Sequence, residues 1–238
     1  MLPFIFFRSS GISNNQNSFF LLFYFFIMSS KIDDLYKLQK MDLKKAGEVL
    51  AYAFQEDPIW KKFIEDYVKK DNVSNYIFES PIQHAWKYGE VYASSRNLEG
   101  IIAWLPNTTA DMTFLSLLRS GAMKTGRKMG LKASLKMAKI FMPVEKDRKK
   151  NMKDTAYNYI VIIGVNPEYQ KQGFGGKLLT ALFEKSDKIN IPIYVETSTE
   201  SNVKMYENYG FKILKEINVP ILDLPMWEMK REPMNSQI

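Results

Sequence analysis

One short stretch, PEYQKQGFGGKLLTAL at residues 167–182, constrains the fold of this chain more than any other. It contains three glycines, Gly173, Gly175 and Gly176, and the apolar residues after them recur at helical spacing. An apolar run typical of a buried strand, residues 159–165, comes just before it. The sequence therefore predicts a strand, a glycine-rich loop and a helix in succession, an arrangement that often holds phosphate groups.

Two common phosphate-binding motifs do not fit this loop. A Walker A loop would need a glycine where Lys171 stands and a hydroxyl residue where Leu178 stands. A dinucleotide fingerprint would need its last glycine at Leu178. The loop instead follows the pattern Q/R-x-x-G-x-G/A, with Gln170, Gly173 and Gly175 at the three fixed positions.

The glycines have a physical role in such a loop. They let the backbone approach a ligand closely, so that amide N–H groups at the helix start point at a pyrophosphate. The helix dipole also favours negative charge there. The alternative interpretation is that the glycines only form a tight turn between strand and helix.

Residues 29–238 alternate between strand and helix patterns, and we expect them to form a single domain with a basic helical segment at 113–153. Strands alternating with helices predict an α/β fold, a mixed sheet covered on both faces. The predicted elements are a strand over 35–42, helices over 43–55, 59–68 and 76–88, a hairpin over 90–106, a helical segment over 113–142, a strand over 159–165, a helix after the glycines, a strand over 191–197, a helix over 201–209 and strands over 211–219 and 224–232.

Residues 1–28 differ in composition from the rest, with an unbroken apolar run at 19–28 and Arg8 as the only charge ahead of it. A spanning helix needs about 20 apolar residues, so this run is too short. As a signal peptide it lacks a small-residue cleavage site. Three interpretations stay open: translation starts at Met28, the segment is a signal or anchor, or it is an extension that packs on the domain.

The composition excludes several kinds of chemistry. There is no cysteine, which excludes disulfides, thiolate metal sites and cysteine nucleophiles. His84 is the only histidine, so a serine–histidine or zinc–histidine mechanism would depend on it alone, and a lone histidine in a helix is more often structural. We expect no metal.

The net charge of +7 is unevenly distributed. Residues 108–153 hold twelve Lys or Arg and three Asp or Glu, a balance of +9. Such a patch attracts polyanions, anionic lipid or a phosphorylated cofactor. Because no aromatic residues are interleaved to stack bases, we expect no nucleic-acid partner.

The helical part of this basic segment has two stripes at helical spacing. We expect its apolar stripe to pack on the core and its lysines to face solvent. Attraction of the anionic cofactor or of a membrane surface is the alternative. The lysines are Lys132, Lys136 and Lys139, and the apolar residues are Leu131, Leu135, Ala138 and Met142.

The glycine loop and the sequence after it together resemble the GNAT superfamily of acetyl-CoA-dependent N-acetyltransferases. Downstream, YVETSTESNVKMYENYGFKIL contains N-x-x-x-Y at Asn202 and Tyr206, four residues apart on one helix face, and then a Gly-Phe step into a strand. The resemblance covers 157–231 closely and 35–106 by element order only. The Asp-Pro after the first helix also resembles the branch that includes puromycin N-acetyltransferase.

The resemblance implies a mostly antiparallel, twisted central sheet in which two central strands splay apart, with helices on both faces. Acetyl-CoA would lie in the gap, with its pantetheine arm paired to the backbone of Ile163, Gly164 and Val165. Asn202 would hydrogen-bond this arm near the thioester. The residues that would hold the pyrophosphate are Gln170, Gly173, Phe174, Gly175 and Gly176.

Two residues are candidates for proton transfer. Tyr206 would protonate the leaving thiolate, although it is also interpretable as a core tyrosine. Glu196, at the end of its strand, would take the proton of the amine, directly or through water, and is otherwise a solvated carboxylate. Members of the family often carry a histidine at the start of the central strand, where Tyr157 stands.

The predicted reaction is transfer of the acetyl group of acetyl-CoA to a primary amine, by direct attack in a ternary complex. This needs no enzyme nucleophile. We expect a small-molecule amine as acceptor and a cytoplasmic enzyme, with membrane contact only through residues 1–28 or the basic helix. Two alternatives stay open: a non-catalytic module that binds CoA, polyanions or membranes, and a protein N-terminal or lysine acetyltransferase. The residues do not specify which amine is the acceptor, nor the oligomeric state.

Overall fold

The structure is a computed structural model that describes residues 31–68, 74–219 and 221–234. The interpretations of residues 1–28 lie outside the described residues. The strands are β1 (Tyr36–Lys37), β2 (Glu90–Ala93), β3 (Gly100–Pro106), β4 (Asn158–Val165), β5 (Ile193–Thr197), β6 (Phe211–Val219) and β7 (Leu224–Arg231). The helices are α1 (Leu43–Ala53), α2 (Pro58–Tyr67), α3 (Ser74–Tyr88), α4 (Phe114–Ser120), α5 (Ala122–Met129), α6 (Leu131–Asn151), α7 (Phe174–Lys188) and α8 (Glu200–Asn208).

The strands form one sheet in the order β1-β2-β3-β4-β5-β7-β6. Every neighbouring pair is antiparallel except β4 and β5, which are parallel. Parallel strands need a crossover connection, and α7 supplies it. The predicted fold class, a mostly antiparallel mixed sheet, is confirmed.

Helices cover both faces of the sheet. One apolar cluster joins the sheet to α1, α2, α3 and α6, and Leu50, Phe63 and Val144 are buried in it. A second cluster joins the other face to α7 and α8 and buries Leu182 and Trp227. Each fully buried large apolar side chain contributes about 1.5–3 kcal/mol, so these clusters hold the strands in place around the centre of the sheet.

Local signals fix several of the helix ends. The Asp57 carboxylate accepts hydrogen bonds from the backbone N–H groups of Ile59 and Trp60, which caps α2 just ahead of Pro58. The Thr199 hydroxyl caps α8 in the same way through Asn202 N–H. The two caps lie close together, because the hydroxyl of Ser198, the residue before Thr199, donates a 2.6 Å hydrogen bond to Asp57.

Two sequence predictions need correction. The first strand covers only residues 36–37, and a short 3-10 turn over Lys40–Asp42 follows it. The helical segment at 113–142 is three helices, α4 to α6, and the last runs on to Asn151. Gly121 and Gly130 separate these helices with φ angles of 84° and 91°, a backbone region in which glycine is at ease and other residues are strained.

The face of α6 that packs on the core is also not the predicted one. Leu131, Leu135 and Met142 are 76%, 56% and 64% exposed. The buried face instead carries Ala133, Ile140, Val144 and Arg148. Both sets recur at helical spacing, so periodicity alone does not distinguish them.

Candidate active site

The two parallel strands separate part of the way along the sheet. β4 pairs with β5 only through Asn158, Tyr159 and Ile160, opposite residues 193–195. From Ile162 to Val165, β4 is paired with β3 and with no other strand among the described residues. The backbone of β4 therefore has an open edge at the positions predicted to receive an extended ligand, and such an edge can pair with one.

A β-bulge lies where the strands begin to separate. Ile160 pairs with Trp104 and Ile162 with Ala103, which leaves Val161 without a partner on β3. A bulge bends its strand and increases the local twist. The bulge therefore turns the second half of β4 away from β5 and opens the gap.

The helix α1 packs tightly against this open part of β4. An added Cβ at Gly164 would lie 2.8 Å from Leu50 Cδ2 and 3.0 Å from Ala53 Cβ. These distances are shorter than normal van der Waals contact, so any side chain at Gly164 would push α1 and β4 apart.

The glycine loop, Gln170–Gly176, leads from the open end of β4 into α7. Gly173 is the N-cap of α7 with φ 88°, in the left-handed region that favours glycine. The Gln170 side-chain amide donates a 3.2 Å hydrogen bond to the Val165 carbonyl, which ties the loop to the end of β4. The N–H groups that open α7 therefore lie beside the gap, and the first N–H groups of a helix have no acceptor within it.

The three glycines differ in what the structure requires of them. Gly173 is required by its φ angle, and a Cβ at Gly176 would lie 2.8 Å from the Tyr209 hydroxyl. At Gly175 an added Cβ would meet only Val165 Cγ2, at 3.6 Å, an ordinary contact. Protein packing therefore does not explain Gly175, whereas close approach of a ligand does. On this observation the loop fits a bound pyrophosphate.

Asn202 and Tyr206 lie on the helix that follows β5. Asn202 is half-buried in the first turn of α8, and Tyr206 is 3% exposed one turn later. The Tyr206 ring packs against Phe211, 5.1 Å between centroids, within the cluster on the α7 and α8 face. Burial raises the pKa of the Tyr206 phenol, which therefore stays protonated at neutral pH.

Glu196 is the first residue of β5 beyond the positions that pair with β4, so it lies at the start of the gap between these two strands. Its side chain is 9% exposed, and its Oε1 atom lies 3.7 Å from Arg148 Nη1. Burial raises the pKa of Glu196 to about 7, while the positive charge of Arg148 acts in the opposite direction. A carboxyl group that titrates near neutral pH is suited to accept a proton.

Arg148 joins three parts of the structure. This side chain comes from α6 and is 4% exposed. Besides Glu196, it contacts Asp111 at 3.3 Å, and its guanidinium lies over the Tyr159 ring, 4.2 Å from the centroid. Arg148 therefore fixes α6 against the ends of β4 and β5.

A second carboxylate lies next to Glu196 in the sheet. Glu228 on β7 is the cross-strand partner of Glu196 and is fully buried. The Asn151 side-chain amide donates a hydrogen bond to Glu228, and burial raises the pKa of this carboxyl. Four polar atoms of this cluster are buried without a hydrogen bond of good geometry among the described residues: Arg148 Nε, Tyr194 Oη, Glu196 Oε1 and Glu228 Oε1. The phenols of Tyr159 and Tyr194 nevertheless interact with the two carboxyls and act to lower their pKa, against the effect of burial. We therefore interpret the cluster as a polar network that water would complete.

A cavity of about 400 Å³ opens at the start of β4. Asp111, Lys149, Met152 and Tyr157 are among the residues that line it. Since Asp111 and Glu196 both pair with Arg148, the wall of this cavity is linked to Glu196 through Arg148.

The two proton-transfer candidates lie on opposite faces of the sheet, Glu196 towards α6 and Tyr206 towards α7 and α8.

The sequence analysis did not identify Arg148, Asp111, Tyr159, Tyr194 or Glu228 as site residues. Arg148 lies in a run of basic residues in which no pattern separates it from its neighbours. Tyr159 and Tyr194 stand in apolar runs on two predicted strands, and the register that pairs them places both on one face of the sheet.

Comparisons with known proteins find acetyltransferases to which this chain is similar. A family model described as an acetyltransferase (GNAT) domain matches residues 145–213, from the end of α6 to the start of β6. An uncharacterized N-acetyltransferase of Schizosaccharomyces pombe is 28% identical over 207 residues, which are 83% of this chain and 82% of that protein.

Two solved structures share the fold. Arylalkylamine N-acetyltransferase 2 from Aedes aegypti has a TM-score of 0.58 at 13% identity, covering 83% of this chain and 97% of its own. A Corynebacterium glutamicum protein described as histone acetyltransferase HPA2 and related acetyltransferase has a TM-score of 0.55 at 15% identity, covering 86% and 98%. The likeness to the puromycin N-acetyltransferase branch stays a prediction.

Proposed function

Because this chain carries a GNAT acetyltransferase domain and is an acetyltransferase, we propose that it transfers the acetyl group of acetyl-CoA to a primary amine of a small molecule. The relatives named N-acetyltransferase support acetyl transfer to nitrogen. They give no support to the non-catalytic alternative.

The open edge of β4 beside the glycine loop is the observation that carries this proposal. A CoA molecule combines an extended, amide-containing arm with a pyrophosphate. Residues 163–165 offer to the arm the backbone edge that faces β5, which has no strand partner among the described residues. Gln170–Gly176 offer a helix start to the pyrophosphate. Asn202 would hydrogen-bond the arm near its thioester end.

In the proposed reaction, the amine nitrogen attacks the thioester carbonyl carbon, so a C–N bond forms and the C–S bond breaks. Glu196 accepts the proton that the amine loses, since its pKa of about 7 leaves a large fraction ionised at neutral pH. Tyr206 donates a proton to the leaving sulfur, and its raised pKa keeps that proton available.

We assign the cavity at the start of β4 to the acceptor. Its size suits a small molecule, and its lining carries polar groups of both signs, among them Asp111, Asp154 and Lys149. The cavity is also linked to Glu196 through Arg148. The name of the Aedes aegypti neighbour, an arylalkylamine N-acetyltransferase, agrees with a small amine acceptor.

The first test is the thermal unfolding midpoint of the full chain with acetyl-CoA, ATP or NADH at equal concentrations. A ligand at 100 times its dissociation constant stabilises by about 2.7 kcal/mol. We expect acetyl-CoA to raise the midpoint most. Release of free thiol with a panel of small amines and of peptides then reports turnover, without background from the protein because it has no cysteine.

A matched pair of variants locates the binding site. Gly175→Asp adds a carboxylate in the first turn of α7, where the helix tolerates negative charge but a pyrophosphate would be repelled. Gly126→Asp makes the same change in α5, where an added Cβ meets nothing within 4 Å. Only the first should abolish the acetyl-CoA effect. Equal stabilisation of both variants by acetyl-CoA, or thiol release from peptides but from no small amine, would contradict the proposal.

A further inference from the structure

Helix α6 has an apolar stripe on the side that faces away from the sheet. Leu131, Leu135 and Met142 lie within one narrow arc of the helix and are more than half exposed, and Ala138 in the same arc is also exposed. The opposite side of α6 already packs on the core through Ile140 and Val144. The outward stripe therefore does not contribute to the core among the described residues.

A stripe of lysines runs beside the apolar one. At 100° per residue, Lys132, Lys139, Lys146 and Lys150 follow the apolar residues within about a quarter turn, and all four are exposed. We call the two stripes together the outward face of α6. Apolar and basic residues side by side on one exposed face are typical of helices that lie in the surface of a membrane.

The acidic residues of the basic segment do not neutralise this face. Asp111 pairs with Arg148 and Lys149, Glu145 pairs with Lys149, and Asp147 pairs with Lys215 on β6. No ion pair to the four outward lysines is found in the part of the chain that the structure describes. Their charge is therefore available to an anionic partner.

Helix α4, earlier in the same segment, also exposes large apolar side chains. Phe114 is 71% exposed, and Leu115 and Leu118 are about half exposed. Scattered exposed apolar residues are ordinary, but three on one short helix and three more on α6 are a concentration that marks an interaction surface.

We propose that the outward face of α6 binds the surface of an anionic phospholipid bilayer. A bilayer accepts both stripes, the apolar side chains between its acyl chains and the lysines among its headgroups. A nucleic acid would pair with the lysines but leave the apolar stripe in water. No helix among the described residues is long and apolar enough to cross a membrane.

Co-sedimentation of the full chain with vesicles tests this surface. Vesicles of phosphatidylcholine with 30% phosphatidylserine, about the composition of an anionic leaflet, are compared with pure phosphatidylcholine. We expect clear binding to the anionic vesicles only, weakened at 0.5 M salt because the Debye length shortens to a few ångströms.

Two triple variants separate the stripes. Each lysine near a membrane surface contributes about fivefold, so removing three should weaken binding roughly 100-fold. Removing the three apolar side chains should weaken it at least roughly tenfold. The variants are Lys132→Gln with Lys139→Gln and Lys146→Gln, and Leu131→Ser with Leu135→Ser and Met142→Ser.

A third triple variant removes the same charge from α7, α8 and β6: Lys188→Gln with Lys204→Gln and Lys212→Gln. Its affinity for the anionic vesicles should stay within about twofold of the wild-type affinity. Equal weakening by this control would show attraction by net charge only and would overturn the proposal. So would unchanged binding in both outward-face variants. Size-exclusion chromatography gives a further check. If the wild-type chain is a dimer and only the triple serine variant is a monomer, the outward face binds a second copy of the chain, which would also overturn the proposal. The thermal midpoint checks that each variant is folded.

Discussion

Replacing Arg148 with methionine should raise the pKa of Glu196 and shift the pH dependence of acetyl transfer with it. Burial raises the pKa of Glu196 to about 7, and the Arg148 guanidinium, 3.7 Å away, holds it below the value that burial alone would give. Methionine has a similar length but no charge. The variant therefore leaves burial unopposed, and the carboxyl should lose its proton only at higher pH.

The size of this effect follows from the distance. Two unit charges 3.7 Å apart interact by about 4.5 kcal/mol at an effective dielectric constant of about 20, which corresponds to roughly three pKa units. Since Arg148 also pairs with Asp111, its effect on Glu196 is shared. Measured effects of one opposite charge at such distances are about one to three units, so we expect a pKa between about 8 and 10 in the variant.

The assay is kcat/KM for one amine at saturating acetyl-CoA, measured from pH 5.5 to 10. If Glu196 accepts the proton, the logarithm of kcat/KM rises with pH and levels off above its pKa. The Arg148→Met profile should rise later, with activity about 10- to 1,000-fold lower at pH 7 and recovering at high pH. Because the same amine is used throughout, its own ionisation cancels from the comparison.

Lys149→Met is the matched control. Lys149 is the next residue of α6 and also pairs with Asp111, at 2.9 Å, but it has no contact with Glu196. Its profile should keep the wild-type rise near pH 7. An Arg148→Met profile that coincides with the wild type, or a Lys149→Met profile that shifts equally, would refute the coupling between Arg148 and Glu196. Loss of one partner of a buried pair costs about 3–5 kcal/mol, so all profiles are measured below each variant's unfolding midpoint.

Three further substitutions, with Gly126→Ala as a control outside the site, test other predictions. Tyr206→Phe should lower kcat by about 10²–10⁴-fold with little change in the KM for acetyl-CoA, and unchanged turnover at every pH would show that Tyr206 is not the acid. Gly173→Ala should destabilise the chain by about 1–2 kcal/mol and weaken acetyl-CoA binding, because φ is 88° there. Gly126→Ala, within α5, should instead stabilise it by about 0.5–1 kcal/mol in urea unfolding. For Glu196, burial raises the pKa from its ordinary 4.5 to about 7, so the folded chain binds a proton more tightly than the unfolded chain and the free energy of unfolding falls as pH rises between those values. Glu196→Gln should remove this fall of about 3 kcal/mol, and a pH dependence identical to the wild type's would contradict it.

The sequence predicts the centre of this fold well because there the local signals agree. The strand before the glycine loop, the loop and the helix after it each have a distinct pattern. β4 begins and ends close to the predicted residues, and α7 begins at Phe174, within the glycine stretch. Gly210 follows α8 with φ 86°, as its position after the helix predicts. Consistent local choices of this kind make an element predictable.

The gap between the strands was expected only from the family resemblance. Its physical cause, the bulge at Val161, has no counterpart in the residue pattern, since YIVIIGV reads as an uninterrupted strand. A bulge depends on the register with a neighbouring strand that is more than fifty residues away in the chain. Pairing of this kind belongs to the tertiary structure, so periodicity within one strand does not reveal it.

The buried polar cluster was missed for a related reason. The sequence indicates Glu196 as a strand-end carboxylate, whereas its cross-strand partner Glu228 stands in MWEMKRE, where alternation suggests an ordinary half-exposed strand. In the folded chain Glu228 is fully buried, with Asn151 from α6 as its partner. The sequence gives no sign that a helix from a distant segment covers this position.

Helix α6 takes part in both the buried polar cluster and the outward face, because its two sides contact different surroundings. Residues on the sheet side, Arg148 and Asn151, reach the carboxylates Glu196 and Glu228, while the outward face carries the exposed leucines and lysines. The helix is 21 residues long, about 31 Å, and its length follows from Gly130 at one end and the turn at Met152 at the other. Both sets of residues recur with the same helical period and differ only in phase. The apolar pattern therefore predicts that α6 is a helix, but the contacts of Arg148 and Ile140 with the rest of the fold determine which side faces the sheet.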